Sequence, residues 1–200
     1  MTPSRVRKLD DLLRTEGPIL RSASLRSARF CSKDVAELMH KGYLRKIRRG
    51  YYTSALAADR MNALEILASL APDGVVSLYS AAHFHNLTTV IPHRIEITLP
   101  ASRRTPVFPE TLMVKVYKSD SHIYKTGIEI VTMEGFPIKM YNRERTVCDC
   151  IRMRLKLGKD SAIEVLKNYM AGHKNLHKLY EYAEILKIES VIHPYLEVLA

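Results

Sequence analysis

Carboxylates, histidines and cysteines are the side chains from which this chain would have to build a reaction centre. A restriction-like nuclease wants an acid followed downstream by an acid-x-Lys strand pair, because the acids hold a metal ion that activates water. Glu96-Ile-Thr98 and Glu129-Ile-Val131 offer an acid without the lysine, and Met113-Val-Lys115 offers the lysine without an acid. His83 and His85, two apart, would point to different helix faces. His173 and His177 have the four-residue spacing of a zinc-binding pair, yet Lys174-Asn-Leu176 between them supplies no general base. Gly172 beside them suggests a helix edge, and surface histidines are expected there. Cys148 and Cys150 would point in opposite directions on a helix; Cys148 joins the apolar stripe Val147, Ile151, Leu155 and is expected to be a core thiol. Asp149, four residues beyond Arg145, reads as a structural ion-pair partner rather than a base. The 8 glycines are scattered and form no phosphate-binding loop. No enzyme, cofactor or metal is expected.

A different chemistry has stronger support. Residues 1–58 carry 13 Lys or Arg against 5 Asp or Glu, a net charge of +8, whereas the other 142 residues are only +2. The excess gathers around Cys31 to Tyr52. A polyanion favours such a surface, since each phosphate neutralised by Lys or Arg releases condensed counterions. Double-stranded DNA is the expected partner of this region, with RNA or a protein as the alternatives.

The elements that must carry these cations can be read from periodicity. Thr2 is placed to cap a first helix with Pro3 at its first position; Val6, Leu9, Leu12 and Leu13 form its apolar face, and Gly17-Pro18 ends it. A short second helix over 22–29 would bury Ala23, Leu25 and Ala28. Ser32 is the expected cap of a third helix with Val35, Leu38 and Met39 inward, and Gly42 sits where a left-handed C-terminal residue is wanted. Beyond Gly42 the period changes towards two: Leu44 and Ile47 inward, Arg45, Lys46, Arg48 and Arg49 mostly outward, with Arg49-Gly50 turning the chain into Tyr51-Tyr52. Three helices and a basic hairpin in that order predict a winged helix-turn-helix. In that geometry the third helix enters the major groove N-terminus first. Arg29, Ser32, Lys33, Glu37, His40 and Lys41 would face the DNA, and the wing would lay Arg45, Lys46, Arg48, Arg49 and Tyr51 along phosphates or into the minor groove.

The remainder reads as a larger domain over 59–200. A helix over 54–71 links the two, ended by Pro72-Asp73-Gly74; Val75-Val76 and a helix over 78–86 capped by Ser77 follow. Arg94 to Leu99 alternates, with Ile95, Ile97 and Leu99 towards a core. A second strand covers 112–118, and a hairpin covers 127–141 with its turn at Glu134-Gly135. Asn142 caps a helix to about 154, and three more helices fall near 160–171, 175–187 and 190–200. The fold class is α+β: a winged helix-turn-helix, then a small, mainly antiparallel sheet and a helical C-terminal tail. Arg94, Arg103, Arg104, Arg143 and Arg145 are candidates for an additional basic, DNA-facing surface, against the plain alternative of ordinary surface charge.

Composition agrees with a globular chain: 46% apolar residues and a mean hydropathy of -0.13. No apolar run approaches the roughly 18 residues of a membrane span. The first ten residues lack the apolar core of an export signal. The 3 cysteines cannot pair completely and show no zinc spacing, which fits a reducing cytoplasm.

Four segments in sequence carry a family resemblance: Leu44-Arg-Lys-Ile-Arg-Arg-Gly-Tyr-Tyr52, Val75-Val-Ser-Leu-Tyr-Ser-Ala-Ala-His-Phe-His-Asn-Leu87, Arg94-Ile-Glu-Ile-Thr-Leu-Pro100 and Tyr141-Asn-Arg-Glu-Arg-Thr-Val-Cys-Asp149. In this order and spacing they resemble the AbiEi antitoxins of bacterial abortive-infection systems, over nearly the whole chain. The resemblance implies a type IV antitoxin that counteracts a nucleotidyltransferase-like toxin without stable contact and represses its own operon. Repression would work through promoter inverted repeats, with cooperative pairing of two copies on DNA. One departure stands out: Arg29-Phe30-Cys31 occupies the turn before the third helix, where a glycine would be expected. Two other readings remain open: an enzyme that uses the winged helix to grip nucleic acid, and a module that neutralises a toxin by direct contact.

Overall fold

The computed structural model describes residues 3–133 and 136–199. The expected cap at Thr2 and the turn at Glu134-Gly135 lie outside the described residues. The chain divides into two compact units: Met1–Ser69 with Phe108–Thr111, and Leu70–Val107 with Leu112–Ala200. The class is mixed α and β.

The first unit runs α1 (Pro3–Glu16), β1 (Ile19–Arg21), α2 (Ser22–Ser27), α3 (Ser32–His40), β2 (Leu44–Arg48), β3 (Tyr51–Ser54) and α4 (Ala55–Ala58), then most of α5 (Ala63–Leu70). Strand β1, three residues long and too short to show a period, pairs antiparallel with β3, giving the sheet order β1-β3-β2. The helices close over Leu9, Leu20, Leu25, Phe30, Leu38 and Leu44, all buried. Ala23, expected inward, is exposed, and Leu25 alone of that short helix is buried.

The expected linking helix over 54–71 is two helices. Ser54 caps α4 through its Oγ, which accepts from Ala57 N at 3.0 Å. Asn62 then starts α5 with a reciprocal box: Glu65 N donates to Asn62 Oδ1 at 2.9 Å, and Asn62 N donates to Glu65 Oε2 at 3.3 Å. Two start signals inside one apolar run make two helices, because each Ser or Asn satisfies amide donors that a continuous helix would not leave free.

The second unit contains β4 (Val75–Val76), α6 (Leu78–Phe84), β5 (Ile95–Pro100), β6 (Val114–Ser119), α7 (Ser121–Lys125), β7 (Ile128–Met133) and β8 (Phe136–Tyr141). Helices α8 (Arg143–Arg152), α9 (Arg154–Leu157), α10 (Lys159–Ala171), α11 (Leu176–Ile185) and α12 (Glu189–Leu199) complete it. The sheet order is β6-β5-β4-β8-β7. It is mixed rather than mainly antiparallel: β4 with β5 and β7 with β8 are antiparallel, β5 with β6 and β4 with β8 parallel. A parallel neighbour needs a long return path, and the irregular segment 101–113 between β5 and β6 supplies it without a helix.

Strand β5 is buried on both faces, so Glu96 and Thr98 are as enclosed as Ile97 and Leu99. Hydrogen bonds offset the burial of Glu96: its carboxylate accepts from Tyr79 N at 3.0 Å and Tyr117 Oη at 2.9 Å. That first bond gives α6 its cap; Ser77 stands at the cap position, but its Oγ accepts from Thr98 Oγ1 instead. Helix α8 is buried from Glu144 to Ile151, flanked by α6, α10, α11 and α12. Cys148 and Cys150 are therefore both core thiols, and burial pushes the Cys148 thiol up to about 12. Leu155, expected on the same apolar stripe, lies beyond the end of α8 and is exposed.

Candidate nucleic-acid interface

Helix α3 is fixed at both ends. Cys31, not Ser32, is its N-cap residue, and Cys31 N donates to Asp34 Oδ2 at 2.8 Å. Asp34 also pairs with Arg5 of α1. Those two donors, the guanidinium first, hold the Asp34 carboxyl well below the usual carboxylate range. At the other end Gly42 adopts φ +72°, Gly42 N donates to Met39 O at 3.1 Å and Tyr43 N to Leu38 O at 2.9 Å. This pair of bonds is the Schellman closure that a left-handed glycine permits.

The same closure ends α2, with Arg29 where a glycine would be expected. Arg29 takes φ 62°, Phe30 N donates to Leu25 O at 2.9 Å and Arg29 N to Arg26 O at 2.8 Å. Backbone geometry thus absorbs the departure seen in the sequence: an arginine adopts the left-handed turn. Its side chain is exposed.

Strand β2 shows how Leu44 and Ile47, three apart, can both face away from the charged side. Leu44 pairs with Ser54, Arg45 with Thr53 and Lys46 with Tyr52, but the next pair is Arg48 with Tyr51. Ile47 is the extra residue of a β-bulge, which re-aims the side chains that follow it. Leu44 is buried and Ile47 half-buried. Beyond the bulge Arg48 lies 3.8 Å over the Tyr51 ring, and Arg21 of β1 approaches the same ring at 5.9 Å. The turn is anchored by Ser22 N donating to Gly50 O at 2.8 Å.

The cations are unequal. Ser32, Lys33, Lys46 and Arg49 are exposed, and these three cations have no ion-pair partner among the described residues. Lys41 pairs with Glu37 at 3.0 Å, which raises the lysine and lowers the carboxyl. Arg45 pairs with Asp59 at 2.5 Å. Both pairs are at the surface, where a salt bridge is worth only about 0–1 kcal/mol and yields readily to a competing anion. Residues 32–40 hold Lys33 against Asp34 and Glu37, whereas the β2–β3 hairpin holds Arg45, Lys46, Arg48 and Arg49 with no acid and residues 21–29 add Arg21, Arg26 and Arg29, so the positive excess lies off α3.

Sequence reasoning misses Arg21 because β1 shows no period; its adjacency to Tyr51 appears only once β1 pairs with β3. In the second unit Arg94 and Arg104 are exposed without an ion pair among the described residues, while Arg103 pairs with Asp73 at 2.9 Å. Arg143 is half-buried, donating to His85 O at 2.9 Å. Arg145 is a correction: it is wholly buried and cannot belong to a surface. Its Nε donates to Asp149 Oδ2 at 2.9 Å, its Nη1 to the carbonyls of Ile123 and Thr126, and its guanidinium stacks 4.3 Å from the Tyr141 ring. The i,i+4 spacing of Arg145 to Asp149 is the sequence signal for this pairing, and the burial of α8 makes it interior.

His173 and His177 are exposed, and no group of three or more potential metal ligands occurs among the described residues. No described helix is long and apolar enough to cross a membrane. No protein-family model matches the chain, and no curated protein matches it.

Proposed function

We propose that the first unit is a winged helix-turn-helix that binds duplex DNA, and that the chain is a transcriptional autorepressor and antitoxin of the AbiEi kind, acting in the cytoplasm. The observation that carries the DNA reading is the element order α1-β1-α2-α3-β2-β3 ending in an exposed cationic hairpin, where Lys46 and Arg49 have no ion pair among the described residues. In this reading α3 enters the major groove with Ser32 and Lys33 leading, and the hairpin follows the phosphates. Affinity comes mainly from the hairpin, which carries four cations and no acid, and base preference from the start of α3. Two copies occupy an inverted repeat with half-sites about 34 Å apart, or a multiple of it, on one DNA face. The antitoxin role rests on the four-segment resemblance and belongs to the second unit.

Footprinting the purified chain on the DNA upstream of its own gene tests the reading. Protection of two symmetric half-sites is expected, and uniform or absent protection contradicts it. Lys33→Ala should cost about 1–3 kcal/mol at the preferred site and relax base choice there. A uniform loss across sequences would make Lys33 a backbone contact. Neutralisation of an adjacent nucleotidyltransferase-like toxin in cells, without co-purification of the two proteins, is the expected antitoxin behaviour. Stable co-purification would favour direct contact instead.

A further inference from the structure

The second unit contains a cleft of about 480 Å³ that the DNA reading does not use. Tyr117 and Lys118 of β6, Asp149 and Arg152 of α8, Met153 between α8 and α9, and Lys156 of α9 line it. Asp149 and Arg152, three apart on α8, share one side of that helix, and Met153 and Lys156 continue the wall beyond its end. The wall carries three cations and one carboxylate, and that carboxylate is already committed to the buried Arg145 through Oδ2.

Two polar atoms of this wall make no hydrogen bond among the described residues. Asp149, 3% exposed at its side chain, receives no hydrogen bond at Oδ1; Arg152 Nη2 lies 2.9 Å away as an ion pair without hydrogen-bond alignment. Arg152 Nε is also buried without a hydrogen-bond partner among the described residues. Buried polar atoms are ordinarily satisfied, so a donor without a partner, beside an acceptor held only by an ion pair, marks a place for a polar ligand in a cationic cleft. Lys156 is exposed and has no ion-pair partner among the described residues. Lys118 is exposed and gives one of its ammonium hydrogens to Arg103 O.

The chemistry narrows the ligand. Three cations converging on one cleft suit a phosphate group, which offers several acceptor oxygens to charge-assisted donors. Asp149 Oδ1 suits a hydroxyl or amino hydrogen on the same molecule. Tyr117, Met153 and Leu78 supply apolar wall, and the volume falls within the roughly 300–1,000 Å³ of small-molecule sites. We propose that this cleft binds a mononucleotide, with its phosphates against Lys118, Arg152 and Lys156 and a sugar or base hydrogen donated to Asp149.

Calorimetric titration of the full chain with ATP, GTP, CTP and UTP, and with pyrophosphate as the bare-anion probe, decides it. At least one nucleotide should bind saturably, at one per chain, and about tenfold more tightly than pyrophosphate. Lys118→Ala combined with Lys156→Ala, both at exposed positions, should weaken that nucleotide by about tenfold or more, as expected when charge-assisted bonds are removed. Lys46→Ala with Arg49→Ala should leave it unchanged, which separates this cleft from phosphate binding on the hairpin. Absence of saturable binding overturns the proposal, as does retention of full affinity in the Lys118/Lys156 variant. Equal affinity for pyrophosphate and nucleotide overturns it too, since nothing beyond charge would then be recognised.

Discussion

Single side chains settle several structural questions in this molecule. Arg29 holds a left-handed conformation that costs a non-glycine residue roughly 1–2 kcal/mol, part of which a glycine returns as unfolded-state entropy. Arg29→Gly should therefore stabilise the chain by up to about 1 kcal/mol in urea unfolding; a loss of stability would mean that the side chain contributes more than the turn costs. Arg145 presents the opposite case, a buried cation with its partners in place. Arg145→Ala leaves Asp149 without its main partner in the interior and frees the carbonyls of Ile123 and Thr126. A loss of about 3–5 kcal/mol is expected, and a loss below about 1 kcal/mol would contradict the buried network. Gly127 belongs to the same network: with φ +76°, a Cβ there would meet Arg145 Cβ at 2.7 Å. The Arg145–Asp149 pair was legible from its spacing, but its depth was not, because an arginine at that spacing more often lies on a surface.

Elements with strong local signals were readable, and those set by pairing were not. Helices α3, α8, α10, α11 and α12 fall close to where the sequence places them, and Asn142 caps α8 as expected. Strand β1, helix α7 and the parallel neighbours of the second sheet escape detection, since a three-residue strand and a strand's direction leave no period. The break between α4 and α5 was visible in Asn62-x-x-Glu65, but the apolar run across it masked the second start. Asp34 shows how one residue ties elements together, since it joins α1 to α3 through Arg5 and caps α3 through Cys31 N. Its carboxyl is depressed in the folded chain from an ordinary 3.8. The stability it confers is present above that value and is lost as pH falls through the folded value. Asp34→Asn should accordingly be less stable than the parent near neutrality, and the gap should narrow below about pH 4. Urea unfolding across that range checks this, and a gap independent of pH would show that Asp34 acts through something other than its charge.

Across the whole molecule, charge is the most uneven property: +8 within residues 1–58 and +2 in the rest. That asymmetry was legible from composition alone. Helix α3 contributes none of it, since Asp34 and Glu37 outweigh Lys33, whereas the hairpin carries four cations and no acid. The candidate site is thus partly the one read from sequence: Lys33, Lys46 and Arg49 stand open, Lys41 and Arg45 are paired, and Arg145 is interior. The most direct test is the salt dependence of binding to the upstream DNA. Plotted as log affinity against log salt, the full chain should give a steep negative slope. Lys46→Ala with Arg49→Ala should flatten that slope by about 0.9 for each phosphate no longer neutralised, near 1.8 for the two together. An unchanged slope in that double variant, or no binding even in dilute buffer, would contradict a hairpin that grips duplex phosphates.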